Sequence, residues 1–290
     1  MTEAPTHLRW LIEVPEAQEE ALGEWLLAAG ASATYREADP PRAFFAYFPP
    51  GLHPDPAGLA AFPGAHLQAA QSFADEDWLA KSREGFGAFE VGERFFIRPE
   101  WENGPVPSSR ISITVNPGLA FGTGGHETTR LCMVLLEHLA RQDRLGGAIL
   151  DIGAGTGILA LAAHLLGAED ILAFDLDPDC GPAMAELIRQ NSDVLRHVDP
   201  FNSFVGTLDD PRVQTRAPFR GLLANILLET IQDLLPGMAA LAGPGSWLVA
   251  SGILAAREDE ALISLAAGGF LPRRVDREGD WIAVLCERLP

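Results

Sequence analysis

An apolar run that ends in three closely spaced glycines and passes straight into a helical pattern leaves few folds open. Residues 149–163, ILDIGAGTGILALAA, form such a segment. Ala148, Ile149 and Leu150 read as a short buried strand, Asp151-Ile152-Gly153-Ala154-Gly155-Thr156-Gly157 as a turn, and a helix begins near Ile158. Glycines supply the positive-φ conformations and the close backbone approach that a bulky ligand requires at the carboxyl end of a strand. A second glycine-rich turn, NPGLAFGTGGHETT from Asn116 to Thr129, precedes it by about twenty residues. Either turn alone is compatible with a plain strand-to-helix connection; the two together read as a cradle.

What the cradle holds follows from two carboxylates. A further apolar run, Ile171-Leu172-Ala173-Phe174, ends in Asp175. An acidic residue about twenty residues past such a turn is suited to accept hydrogen bonds from ribose hydroxyls, which indicates an adenosine-type nucleotide. Asp151 opens the turn itself, where a pyrophosphate would prefer neutral backbone amides. A carboxylate there suits a cationic ligand. S-adenosylmethionine carries a sulfonium and an α-amino group and no phosphate, so the pattern favours a methyl donor over a dinucleotide.

Periodicity supplies the architecture. Strands at Ala148 to Asp151, Ile171 to Asp175, Leu222 to Ile226 and Trp247 to Ser251 alternate with helices at Ile158 to Leu166, Pro182 to Asn191, Ile231 to Leu241 and Arg257 to Ala267. That alternation predicts an α/β fold with a parallel sheet covered on both faces. Arg273 to Asp276 and Trp281 to Cys286, joined by a turn at Glu278 and Gly279, predict a carboxyl-terminal antiparallel hairpin on the sheet edge, a methyltransferase arrangement more than a dehydrogenase one. Further strands are expected at Arg94 to Arg98 and Ile111 to Val115, and a helix at Thr128 to Arg141.

The amino-terminal segment has its own order. Strand-like runs at His7 to Val14, Ala33 to Glu37, Ala43 to Phe48 and Leu67 to Phe73, with helices at Glu16 to Ala29 and around Pro56 to Phe62, give β-α-β-β-α-β. This is a small α+β, ferredoxin-like domain. The expected division is residues 1–74 for this module, 75–110 for a linker helix and strands, and 111–290 for the cradle domain.

Composition removes several classes. Although 47% of residues are hydrophobic, no apolar run reaches the roughly 18 residues of a membrane span. The opening MTEAPTHLRWLIEV lacks the basic and apolar regions of an export signal, so cytoplasmic residence is expected. Cys132, Cys180 and Cys286 stand far apart in no CxxC arrangement, which supports neither a disulfide framework nor a zinc site; no metal is expected. Forty acidic residues against twenty-one basic ones give a formal charge of −19, which disfavours nucleic-acid binding and suits a basic macromolecular partner.

Five ordered motifs then converge: NPGLAFGTGGHETT, DIGAGTGILALAAHLLGA, FDLDP at Phe174 to Pro178, LLANILLE at Leu222 to Glu229, and SGIL at Ser251 to Leu254. Together they resemble the bacterial ribosomal protein L-eleven methyltransferases, the PrmA-type family. DEDWLAKSREGF, Asp75 to Phe86, and VGERFFIRPEW, Val91 to Trp101, are similar to that family's interdomain linker. The resemblance implies a Rossmann-like, seven-stranded class I S-adenosylmethionine-dependent methyltransferase. In that family an amino-terminal domain recognises a ribosomal protein, and methyl groups pass to its lysine ε-amines and its N-terminal α-amine. It also implies cofactor contacts at Thr129, Gly153, Asp175 and Asn225, with Asn225 beside the transferring methyl as the catalytic residue. Asp151 and Gly155 join them as parts of the turn, and Phe121 either covers the cofactor or packs. His126, in the upstream turn, is a candidate proton acceptor or a solvent-facing loop residue.

The chain departs from the family pattern at Asn116, where an Asp is usual, at Ser82, where a tryptophan is usual, and over Gln190 to Phe204, where an Asn-Gly pair and a clear third strand are usual. Other readings are a methyltransferase acting on a different protein lysine or a small-molecule amine, a non-catalytic binding module, and an oxidoreductase.

Overall fold

Neighbouring residues of the central strands are buried against opposite sides, which is what a sheet covered on both faces requires. Ile149, Ile171, Leu223 and Val249 pack to one side, and Leu150, Leu172, Leu222 and Leu248 to the other. The structure, a computed structural model, describes residues 6–15, 18–31, 33–36, 44–52, 54–74, 87–116 and 124–289. Phe121 and the whole segment Asp75 to Phe86, Ser82 included, lie outside the described residues. The chain divides into two compact units, Met1–Gly85 and Phe86–Pro290.

The first unit is a four-stranded sheet of β1 (Thr6–Glu13), β2 (Ala33–Arg36), β3 (Phe44–Phe48) and β4 (His66–Ala74), in the order β2-β3-β1-β4. All its pairings are antiparallel. This is the arrangement expected of the β-α-β-β-α-β module. Helix α1 (Glu19–Ala28) buries Leu22 and Leu26, one turn apart, against Trp10, Ile12, Phe44 and Phe48. Trp10 and Phe48 meet edge to face at 5.0 Å. The second expected helix is a 3-10 helix, Pro56–Ala61, opened by Asp55, whose carboxylate accepts the Ala57 N–H. Its Gly58 lies so close to the Trp25 ring that a Cβ would sit 2.3 Å from it.

The second unit begins with β5 (Phe89–Val91), β6 (Phe95–Pro99) and β7 (Ile111–Val115), a small sheet with β5 antiparallel and β7 parallel to β6. Residues from Phe86 onward therefore belong to this unit, and the short strand β5 was not anticipated. Val91, Phe95, Ile97, Ile113 and Val115 pack on α2 (Glu127–Arg141). Two polar clamps fix the attachment. Glu137, 2% exposed, accepts the backbone N–H groups of Glu93 and Arg94, both at 2.9 Å. A Cβ on Gly92 (φ +54°) would lie 2.4 Å from that carboxylate, so only glycine makes the β5–β6 turn here. Asn191, 1% exposed, accepts the Thr114 N–H and donates to the Thr114 carbonyl, satisfying both backbone groups as a neighbouring strand would.

The main sheet comprises β8 (Ala148–Ile152), β9 (Asp170–Asp175), β10 (Asn202–Val205), β11 (Phe219–Asn225), β12 (Ala242–Leu254), β13 (Phe270–Glu278) and β14 (Trp281–Arg288). Their order is β10-β9-β8-β11-β12-β14-β13. Strands β8 to β12 are parallel, and β14 runs antiparallel between β12 and β13. The expected hairpin is thus present, with its second strand inserted and its first at the edge. Helices α2, α3 (Ile158–Leu165) and α4 (Cys180–Gln190) cover one face; α5 (Leu228–Leu241) and α6 (Glu258–Ala267) cover the other. Strand β10 fills the place where the sequence reading found no clear third strand. Only Phe204 of its four residues is buried, so it carries no apolar run to read.

Candidate active site

Strand order reverses between β8 and β11, and crevices outside the carboxyl ends of strands at such a point bind ligands. Four strands contribute there: the glycine turn after β8, Asp175 as the last residue of β9, Asn225 as the last of β11, and Gly252 near the end of β12. The backbone dictates the small residues. Gly153, Gly155 and Gly157 take φ of +68°, +56° and +81°. A Cβ on Gly153 would come within 2.5 Å of Ile226 Cγ2, and one on Gly252 within 2.3 Å of the Ile226 carbonyl oxygen. The ends of β8 and β12 both press on the segment that follows Asn225, and only glycine allows it.

The two carboxylates have distinct surroundings. Asp175 accepts the Gly155 N–H on one oxygen at 2.8 Å and the Asp177 N–H on the other at 3.0 Å, tying the glycine turn to the end of β9. A carboxylate has about four lone-pair sites, so capacity remains for two ribose hydroxyls. Asp151 is 1% exposed, beneath the turn, where its Oδ2 accepts the Ala160 N–H at 3.1 Å. Burial pushes its pKa up to about 7, against the Ala160 hydrogen bond, which lowers it, and with the Asp175 charge, which raises it. Sequence reasoning found both carboxylates and missed the packing that distinguishes them.

Helix α2 brings the third wall. His126 is its N-cap, and Nδ1 accepts the Thr128 N–H at 3.3 Å and lies 2.9 Å from Thr128 Oγ1. Accepting at Nδ1 puts the proton of the neutral ring on Nε2, so the ring nitrogen with a lone pair is the one already engaged. His126 therefore caps the helix, with its side chain 36% exposed. Thr128 and Thr129 are fully buried in the first turn. Asn225 Nδ2 donates to Thr129 Oγ1 at 3.4 Å, joining β11 to α2. The other end of that amide, Asn225 Oδ1, is buried and accepts no hydrogen bond from any described residue.

A cavity of about 430 Å³ is bounded by His126, Thr128, Asn225, Leu227, Thr230 and Trp281. Trp281, first residue of β14, meets the His126 ring edge to face at 5.0 Å. Leu227 is 64% exposed at the rim. The sequence carried the Trp281 signal only as a strand start after a tight turn, and nothing in its spacing placed it opposite His126. The structure thus brings Thr129, Gly153, Gly155, Asp151, Asp175 and Asn225 to one end of the sheet, while Phe121 lies outside the described residues.

All three cysteines are buried and free. Burial pushes the thiols of Cys180 and Cys286 up to about 12 and that of Cys132 higher still. Among the described residues no group of three His, Cys, Asp or Glu side chains is arranged to hold a metal, and no helix is long and apolar enough to cross a membrane.

The sheet order, the antiparallel β14 and the bare glycine turn define a class I S-adenosylmethionine-dependent methyltransferase. The residues fit that cofactor: a backbone with no room for a Cβ, a ribose-competent Asp175, the acidic Asp151 beneath the turn, and an orphaned acceptor on Asn225. Residues 59–288 match the family model of ribosomal protein L11 methyltransferase (PrmA), and the chain belongs to that family. It is 37% identical over 224 residues to the ribosomal protein L11 methyltransferase of Synechococcus elongatus, spanning 76% of this chain and 72% of that one. The enzyme of the same name from Geobacter metallireducens is 31% identical over 298 residues, 94% and 95% of the two chains. The crystal structure of ribosomal protein L11 methylase from Lactobacillus delbrueckii subsp. bulgaricus superposes with a TM-score of 0.62 at 30% identity, covering 71% of this chain and 100% of that one.

Proposed function

We propose that this enzyme transfers methyl groups from S-adenosylmethionine to lysine ε-amines, to the N-terminal α-amine, or to both, on ribosomal protein L11. Asn225, which lines the cavity and has a buried Oδ1 without a hydrogen-bond partner among the described residues, carries this reading. A buried acceptor without a donor costs roughly 1–3 kcal/mol, and an incoming amine N–H removes that cost.

S-adenosylmethionine supplies an electrophilic methyl on a sulfonium, open to in-line attack by a neutral amine. The protein's task is then positioning. Gly153 and Gly155 bring bare backbone against the cofactor, and Asp175 receives its ribose hydroxyls. Asp151 contributes negative charge from beneath the turn rather than through an exposed contact. Thr129 holds the Asn225 amide by its NH2 group, so that Oδ1 accepts from the amine and aims its lone pair. The walls formed by Trp281 and Leu227 suit the aliphatic stem of a lysine and exclude water around its nitrogen.

Recognition falls to residues 1–74, and transfer to the carboxyl-terminal domain. The −19 charge attracts a basic ribosomal protein. We further propose that the free protein is modified before ribosome assembly, in the cytoplasm. The test is peptide mass spectrometry of recombinant L11 from the same organism after incubation with enzyme and S-adenosylmethionine. Mass steps of one methylene on lysines or the N-terminus, absent with Asn225→Ala, support the proposal. No shift from an enzyme that binds the cofactor would move the activity to another amine.

A further inference from the structure

Two of the cavity's walls belong to elements far apart in the chain. His126 and Thr128 start α2, whereas Trp281 follows the β13–β14 turn. One side chain spans them. Arg130, in the first turn of α2, donates from Nε at 2.9 Å and from Nη2 at 2.6 Å to Glu278 Oε1, at the end of β13. Its third nitrogen, Nη1, donates to the carbonyl of Gly125, the residue before His126. Glu127 adds a longer ion pair at 3.5 Å. All three guanidinium nitrogens are therefore engaged in joining the loop before the helix to the hairpin, which leaves Arg130 unsuited to clamping the carboxylate of a ligand. The hairpin turn is hooked from its other side as well, since Ala255 N–H donates to the Asp280 carbonyl.

We infer that Arg130 is a positioning residue, paired with Glu278, that sets the separation of His126 and Trp281 and hence the width of the cavity that receives the acceptor amine. The inference rests on the reading of that cavity as the acceptor site. The guanidinium fork matters because one planar group must satisfy a carboxylate and a backbone carbonyl in fixed directions, which a lysine ammonium does not do. The pair is only partly shielded, with Arg130 and Glu278 side chains 23% and 42% exposed, so its worth lies in geometry more than in stability.

The test compares Arg130→Met, Arg130→Lys, Glu278→Gln and the double variant Arg130→Met/Glu278→Gln. The readouts are steady-state methylation of L11, calorimetric cofactor affinity, and a crystal structure of Arg130→Met. We expect the acceptor KM to rise tenfold or more in Arg130→Met and Glu278→Gln, and less in Arg130→Lys. Cofactor Kd should stay within about threefold, and the double variant should be no worse than Arg130→Met. The His126–Trp281 ring separation should open beyond 5.0 Å. An unchanged acceptor KM with only a lowered Tm, effects of the two sites that multiply, or an unmoved ring pair would overturn the inference. Wild-type enzyme inactive on L11 would instead defeat the substrate reading, and the ring separation would still decide the role of Arg130.

Discussion

Replacing Asp151 by Asn should make the enzyme more stable above neutral pH and progressively less advantaged below it. The carboxyl group is 1% exposed, and its pKa rises from 3.8 in the unfolded chain to about 7 in the fold. A carboxyl whose folded pKa is raised binds its proton more tightly in the native state. The stability this contributes is complete below pH 3.8 and is lost as pH rises to about 7. At 1.36 kcal/mol per unit, the loss between pH of about 5.5 and about 8 comes to about 2 kcal/mol. Asn has nearly the same shape, keeps an oxygen for the Ala160 N–H, and carries no charge, so its curve lacks this slope. Urea unfolding of both proteins over that range, following the transition of the second unit, measures the gap between them. It should widen by about 2 kcal/mol and then level off above pH 7. Saturating S-adenosylmethionine should shrink the widening, because a cationic ligand favours the carboxylate. Parallel curves for the two proteins would refute the buried-charge account of Asp151.

Other substitutions separate the roles at this end of the sheet. Asn225→Ala should keep cofactor affinity within about tenfold, or 1.4 kcal/mol, and lose most turnover; wild-type turnover in a methylation assay would remove its orienting role. Asp175→Ala should mainly weaken cofactor binding, while also freeing the Gly155 and Asp177 N–H groups, and unchanged calorimetric affinity would take it out of the ribose site. Glu137→Ala leaves the part-buried N–H groups of Glu93 and Arg94 without their protein acceptor, so a loss of about 1–3 kcal/mol in denaturant unfolding is expected, with cofactor affinity little changed.

Elements buried on both faces were legible because their chemistry is local. Strands β8, β9, β11 and β12 announce themselves as apolar runs, and the positive-φ turn after β8 as glycines. Strand β10 was not legible, since an edge strand with one buried side chain has almost no hydrophobic pattern to display. Strand β5 was missed because its place depends on Glu137, 44 residues away in sequence, holding the turn that follows it. The cofactor residues sat in motifs, whereas the cavity walls came from residues joined only by the fold. Trp281 faces His126 across 5.0 Å, with nothing in either neighbourhood to signal the other. Charge state was hidden for the same reason: Asp151 and Asp175 look alike in sequence and differ in burial.

The insertion of β14 between β12 and β13 has a consequence for the growing chain. Strand β12 leaves the ribosome with one hydrogen-bonding edge open, and the strand that closes it follows roughly 25 residues later. At about 5–20 residues per second the delay is a few seconds. Strand β13 is made within that interval, yet it pairs with β14 and not with β12. During those seconds the apolar stretch Trp247 to Ala250, later sealed, is an exposed template for pairing with other chains. A nascent chain held with β12 outside the ribosome and β14 still inside it should therefore be aggregation-prone, whereas one with β14 released should not be.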